Sequence, residues 1–248
     1  GYDVYLYDQV GSGQSYRLEN IKDYTANRHV KDLESIIKKI GAKKIILIGQ
    51  SWGAILATLF MATNPGKVDK IIFTGPGPLY PVHSELAQQK APDSLHLRDP
   101  FYSNRLGTEK ANNIRAKVMV FWAETFGKKL APDDEADNFE TYLGSQVNRS
   151  TVCDTANILM PEAGAGFYAR VMTFKSLTHV QDPRSAIKNS GIPVLVMKGQ
   201  CDNQKWGYTH EYLDLFPNHQ FVVIPGAGHF ISVEQPAVYL KTIREFLK

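Results

Sequence analysis

The chain has 248 residues, 43% of them hydrophobic, and a formal net charge of +3 with acidic and basic residues mixed along its length. That is enough to bury one sizeable core, and it lacks the concentrated basic surface of a nucleic-acid binder. No apolar run approaches the roughly 20 residues of a membrane span, and no signal-peptide pattern opens the chain.

Taken in chain order, Tyr2 to Tyr7 reads as a strand of β-branched and aromatic residues. Asp8 to Ser15 follows as a turn-rich loop. Val30, Leu33, Ile36, Ile37 and Ile40 fall at helical spacing, and Gly41 stands where a C-terminal cap belongs. Lys44 to Ile48 is a short apolar strand. Gly49-Gln50-Ser51-Trp52-Gly53 comes next, then an apolar stretch from Ala54 to Ala62. Strand, G-x-S-x-G and helix together predict a nucleophile elbow, a tight turn that lifts a serine hydroxyl above the sheet edge. Lys70 to Phe73 is a further strand, closed by Gly75-Pro76-Gly77-Pro78.

The alternation then stops. Residues 80–188 carry helical patches at Ala111–Thr125 and Asp133–Leu143 but no clear strand, and are read as a helical cap. Strands resume at Pro193–Met197 and Phe221–Ile224, with helices at Tyr208–Leu215 and Gln235–Leu247. The expected fold class is α/β: a mostly parallel sheet with helices on both faces. Residues 1–79 and 189–248 form its core and residues 80–188 the cap.

A serine hydroxyl is a weak nucleophile and needs a base, which in turn needs an orienting acid. Asp202 follows the strand ending at Met197, and His229 follows the last strand within Gly226-Ala227-Gly228-His229. Residues beyond the carboxyl ends of parallel strands line the ligand crevice. Ser51, Asp202 and His229 are therefore the candidate catalytic set. His219 precedes its strand and lies at the wrong end of the sheet. No H-E-x-x-H, paired C-x-x-C or phosphate-binding G-x-x-x-x-G-K-[ST] pattern occurs, so neither metal nor cofactor is expected. Cys153 and Cys201 do not make a disulfide framework, and the expected setting is cytoplasmic.

These segments resemble the α/β-hydrolase superfamily and, within it, the proline iminopeptidase-like group of serine peptidases. Asp8-Gln9-Val10-Gly11-Ser12-Gly13-Gln14-Ser15 is similar to that group's D-Q-x-G-x-G-x-S loop. Gly49 to Ala57 is similar to its G-x-S-W-G-x-x-L-A elbow, and Gly226 to His229 to its histidine loop. The resemblance implies a nucleophile at Ser51, an acid at Asp202, a base at His229 and an oxyanion donor at the Trp52 N–H. It also implies a small-molecule or short-peptide substrate.

The resemblance is incomplete in two places. The cap glutamates that bind a substrate amine have only a poor counterpart around Glu162, with Phe167 and Tyr168 as further candidate lining residues. The H-G-G-type loop that supplies a second oxyanion donor has no counterpart before Gln50. The chain opens on what resembles the family's fourth strand, so a partner segment before Gly1 is expected. Two alternatives stay open. One is an esterase, lactonase or carbon–carbon bond hydrolase on the same scaffold. The other is a non-catalytic binding protein.

Overall fold

The computed structural model describes residues 1–100, 109–158, 166–188 and 190–248. Its elements in order are α1 (Ala26–Ile40), β1 (Ile45–Gln50), α2 (Trp52–Thr63), β2 (Val68–Thr74), α3 (Ile114–Phe126), α4 (Asp133–Asn148), α5 (Phe167–Ser176) and α6 (Arg184–Ile187). Then come β3 (Val194–Gly199), α7 (Trp206–Leu215), β4 (His219–Ile224), α8 (Ile231–Glu234) and α9 (Pro236–Phe246).

The strands form one sheet in the order β1-β2-β3-β4, every pair parallel. Parallel neighbours need crossovers, so all four strands run the same way and their carboxyl ends share one edge. The register carries Gln50 against Thr74, Thr74 against Met197, and Gly199 against Ile224. Residues just past those positions are brought together by the topology alone.

Local sequence accounts for the elements. Helix α1 starts at Thr25, whose side chain accepts the Arg28 N–H, and stops at Gly41, whose φ of 76° only glycine adopts without strain. Its apolar side, Val30, Leu33 and Ile37, packs with α2 and the sheet in one cluster. Helix α2 is buried along most of its length, as its near-continuous apolar sequence requires. The other sheet face packs Ile72, Leu195, Met197 and Ile224 against Ile231, Ile243 and Phe246. Helices therefore cover both faces, and β3 is buried at all six positions.

Helices α3, α4 and α5 gather into a separate cluster built on Met119, Ala123, Phe139, Leu143, Phe167 and Met172, joined by Val10, Ile21 and Tyr24. Asp137 ties this region to the Asp8–Ser15 loop region by pairing with Arg17 at 2.8 Å and accepting the Phe167 N–H at 3.0 Å.

Two expectations fail. Tyr2–Tyr7 is not a strand: it pairs with nothing in the sheet, and Tyr2, Val4, Tyr5 and Leu6 are exposed. A β-run is held by its ladder rather than by its own propensity, and among the described residues no neighbouring strand supplies one. Strand β1 is consequently an edge of the described sheet. The second failure concerns Cys153 and Cys201, which are joined as a disulfide with Cα atoms 5.2 Å apart. They lie 48 residues apart in sequence, and only the fold brings the two segments together. Among the described residues no helix is long and apolar enough to cross a membrane.

Phe73 sits at the centre of the sheet with no exposure, its ring 4.8 Å from Tyr212 and 5.5 Å from Phe216. Phe73→Ala is expected to lower unfolding free energy by about 3–5 kcal/mol, read from the midpoint shift in urea denaturation.

Candidate active site

Ser51 follows β1 directly and caps α2 with φ 52° and ψ −114°. A positive φ at a non-glycine residue is costly and persists only where the surroundings enforce it. Here the Ser51 N–H donates to the Thr74 carbonyl at 3.2 Å, and its own carbonyl accepts the Ala54 N–H at 3.0 Å. The turn is so tight that a Cβ on Gly49 would lie 2.4 Å from the Gly53 carbonyl oxygen. The flanking glycine is therefore a steric requirement of the elbow. Trp52 opens α2, so its backbone N–H belongs to the first turn, where helix donors have no intrahelical acceptor. The Trp52 indole N–H donates to Gln9 Oε1 at 3.0 Å, tying the Asp8–Ser15 loop to the elbow.

Asp202 lies three residues beyond β3 and His229 five beyond β4. His229 Nδ1 is 2.9 Å from Asp202 Oδ1, and both side chains are buried. The Gln204 N–H donates to the same oxygen at 3.0 Å. With Nδ1 protonated toward the carboxylate, Nε2 remains the acceptor nitrogen of the ring.

The ring must reach from the β4 end toward the β1 end, across roughly three strand spacings of about 4.8 Å each. Gly75, immediately after β2, makes room: a Cβ there would lie 2.9 Å from His229 Nδ1 and 3.3 Å from Asp202 Oδ2. The Gly75-Pro76-Gly77-Pro78 segment, read from sequence as a strand terminator, is thus also the floor under the imidazole. Ser51 Oγ makes no hydrogen bond among the described residues. Bonds of this kind often tighten only when substrate is bound.

The His229 loop is held from behind. The His229 N–H donates to the Thr151 carbonyl at 2.7 Å. Glu234 accepts the Gly228 N–H with one oxygen and the Cys153 and Asp154 N–H groups with the other, at 2.9 and 3.2 Å. The Cys153–Cys201 disulfide links this same segment to the residue before Asp202. None of Thr151, Glu234 or Lys198, which contacts Asp202 Oδ2 at 3.2 Å, is singled out by the sequence. Only the G-x-x-D spacing of Gly199 and Asp202 marks their neighbourhood.

The substrate-binding expectations fare differently. Glu162 lies outside the described residues. Phe167 and Tyr168 are packed inside the α3–α5 cluster rather than set along an open lining. The Tyr168 hydroxyl accepts the Leu130 and Ala131 N–H groups and donates to the Ala131 carbonyl. Their aromatic character serves packing, and the one polar tip is spent on backbone.

Burial opposes ionisation of Asp202, but the Lys198 ammonium and then His229 and the Gln204 N–H outweigh it, holding the carboxyl well below the ordinary aspartate range. A carboxyl whose folded value lies below the unfolded value of about 3.9 adds stability that is complete above that pH and is lost as pH falls toward the folded value. Asp202→Ala also strands a buried ammonium. It is expected to cost about 3–5 kcal/mol at pH 7, with Ser51→Ala staying within about 1 kcal/mol of wild type. Urea unfolding from pH 7 down to pH 3 checks both, and the Asp202→Ala deficit should shrink below about pH 4.

Comparison with known proteins agrees with this architecture. A family model described as alpha/beta hydrolase fold matches residues 1–236. The proline iminopeptidase of Heyndrickxia coagulans is 26% identical over 250 residues, covering 98% of this chain and 81% of that protein. The 1-acylglycerol-3-phosphate O-acyltransferase ABHD5 of Sus scrofa is 25% identical over 250 residues, covering 98% and 69%. An alpha/beta fold family hydrolase from Bacillus anthracis str. Sterne superposes with a TM-score of 0.65 at 20% identity, covering 96% of this chain and 80% of that one. A peptidase and an acyltransferase at nearly equal identity show that kinship here fixes the scaffold before it fixes the reaction. With four parallel strands feeding an elbow serine, an acid and a histidine to one edge, the chain belongs to the alpha/beta hydrolase fold family.

Proposed function

We propose that this chain is a serine hydrolase acting through an acyl-enzyme on a small amide or ester. The observation that carries the reading is the buried 2.9 Å contact between His229 Nδ1 and Asp202 Oδ1, formed at the edge where the Ser51 elbow stands. An oriented imidazole and a strained serine turn serve no evident packing purpose, whereas together they meet the geometric needs of acyl transfer.

In this mechanism His229 Nε2 takes the Ser51 proton as Oγ bonds to the substrate carbonyl carbon. The carbonyl oxygen becomes an oxyanion, which the Trp52 N–H and the N-terminal end of α2 stabilise. Collapse breaks the bond to the leaving group, which receives the proton from His229. Water then repeats the sequence, with His229 taking its proton, and releases the acid and free Ser51. Asp202 stays ionised throughout, fixing the ring and offsetting imidazolium charge. Helices α3, α4 and α5, of which α5 brings the Phe174 ring to 5.8 Å from that of Trp52, act as a cap beside the elbow and set which substrate enters.

Within that class the favoured substrates are short peptides or amides with a free amino terminus, as for a proline iminopeptidase. Support comes from the 26% identical relative of that name and from the loop, elbow and histidine segments. A simple ester or lactone is the second reading. What favours it is that, among the described residues, Asp137 and Glu234 spend both carboxylate oxygens on protein donors, and the charge of Glu211, whose Oε2 has no partner, is matched by Arg184 through Oε1. An aminopeptidase needs a carboxylate left for the substrate ammonium.

Purified protein assayed on proline-β-naphthylamide and on p-nitrophenyl esters separates these readings. Turnover of either class, reduced on the order of 10⁴-fold or more in Ser51→Ala, is the expected result. A preference of at least tenfold in kcat/KM for the amide supports the peptidase reading, and the opposite preference supports the esterase. Turnover that survives Ser51→Ala contradicts the mechanism, and a folded protein with no turnover of either kind favours a binding role.

A further inference from the structure

Asp202 has two carboxylate oxygens and His229 engages only one. The other, Oδ2, faces Lys198 Nζ at 3.2 Å, and the same ammonium donates to the Gln204 carbonyl at 2.8 Å. The Lys198 side chain is 2% exposed and that of Asp202 is fully buried. Lysine is almost never buried this completely unless it is paired, because desolvating an ammonium costs several kcal/mol. Lys198 sits in β3 between Met197 and Gly199, in a strand that is otherwise apolar. An apolar residue would fill such a position at lower cost.

The ammonium balances the buried carboxylate. Lys198 and Asp202 sum to zero, so the aspartate stays charged in the interior with one oxygen held by the lysine and the other facing the ring. Among the described residues, and apart from the Gln204 N–H that shares that oxygen, the other groups around the ring do not compete for it. Gly75 after β2 brings no charge and Ser51 after β1 is neutral. Glu234 in α8 is committed to the backbone of Gly228, Cys153 and Asp154.

We propose that Lys198 is a positioning residue that holds Asp202 Oδ2 and so turns Asp202 Oδ1 toward His229. Its link to activity rests on the serine-hydrolase reading, but its effect on the imidazole does not. The Lys198 ammonium clamps one oxygen of the carboxylate from the β3 side while the imidazole takes the other, so one buried anion serves two cations in the charged intermediate.

The test is Lys198→Gln, which keeps a donor for Oδ2 and removes the charge. The His229 Nδ1–H proton resonance is followed by NMR at pH 7 in wild type and variant. In the variant it is expected to shift upfield and broaden as the Asp202–His229 hydrogen bond loosens, with kcat falling on the order of tenfold and KM little changed. A variant that loses stability while the resonance and kcat stay in place shows a purely structural lysine and overturns the proposal. Should the variant not fold, the Lys198 ¹⁵Nζ resonance of the wild type decides. An ammonium signal at pH 7 supports the proposal, and a neutral amine overturns it. An inactive wild type would strike the hydrolase reading alone, leaving the Nδ1–H resonance to judge Lys198.

Discussion

A buried carboxylate is the constraint around which the strand ends of this chain are arranged. Asp202 cannot be charged and dry without partners, and its partners come from everywhere nearby: His229 beyond β4, Lys198 within β3 and the Gln204 N–H in its own loop. Meeting that need also orients the imidazole. The same interactions that make the aspartate tolerable in the interior hold the histidine in a single tautomer and direction, so the burial of the charge and the aim of the ring are one electrostatic arrangement rather than two.

Steric economy lets the arrangement close. The sheet edge must hold a serine turn, an imidazole and a carboxylate within a few strand widths. Gly49 lets the elbow fold back on Gly53, and Gly75 leaves the space that the ring occupies. Behind the ring, Thr151, Glu234 and the Cys153–Cys201 disulfide fasten the end of α4, the β3 loop and the β4 loop to one another. The helical region is thereby coupled to the acid and the histidine through covalent and backbone contacts, not only through whatever lies over the serine.

Much of this was legible in the sequence because it is local. Spacing of apolar residues gave α1, Gly41 gave its end, and the strand–turn–helix order around Ser51 gave the elbow. The order of Asp202 and His229 after successive strands placed them on one edge, since parallel strands leave no other choice. What the sequence hid is non-local. A strand-like run such as Tyr2–Tyr7 does not declare whether a ladder partner is present. Cys153 and Cys201 meet only through the fold. Phe167 and Tyr168 have the composition of a binding wall, yet they pack the α3–α5 cluster. Lys198 draws no notice in the sequence, because nothing in its neighbourhood there shows that it points inward.

The central claim is that Ser51 is a nucleophile activated by His229. Peptide mapping by mass spectrometry after exposure to a fluorophosphonate tests it directly. The account predicts a single covalent adduct on the peptide containing Ser51, absent when His229 is replaced by alanine in a folded protein. An adduct on another serine, or equal labelling of Ser51 without His229, would contradict it.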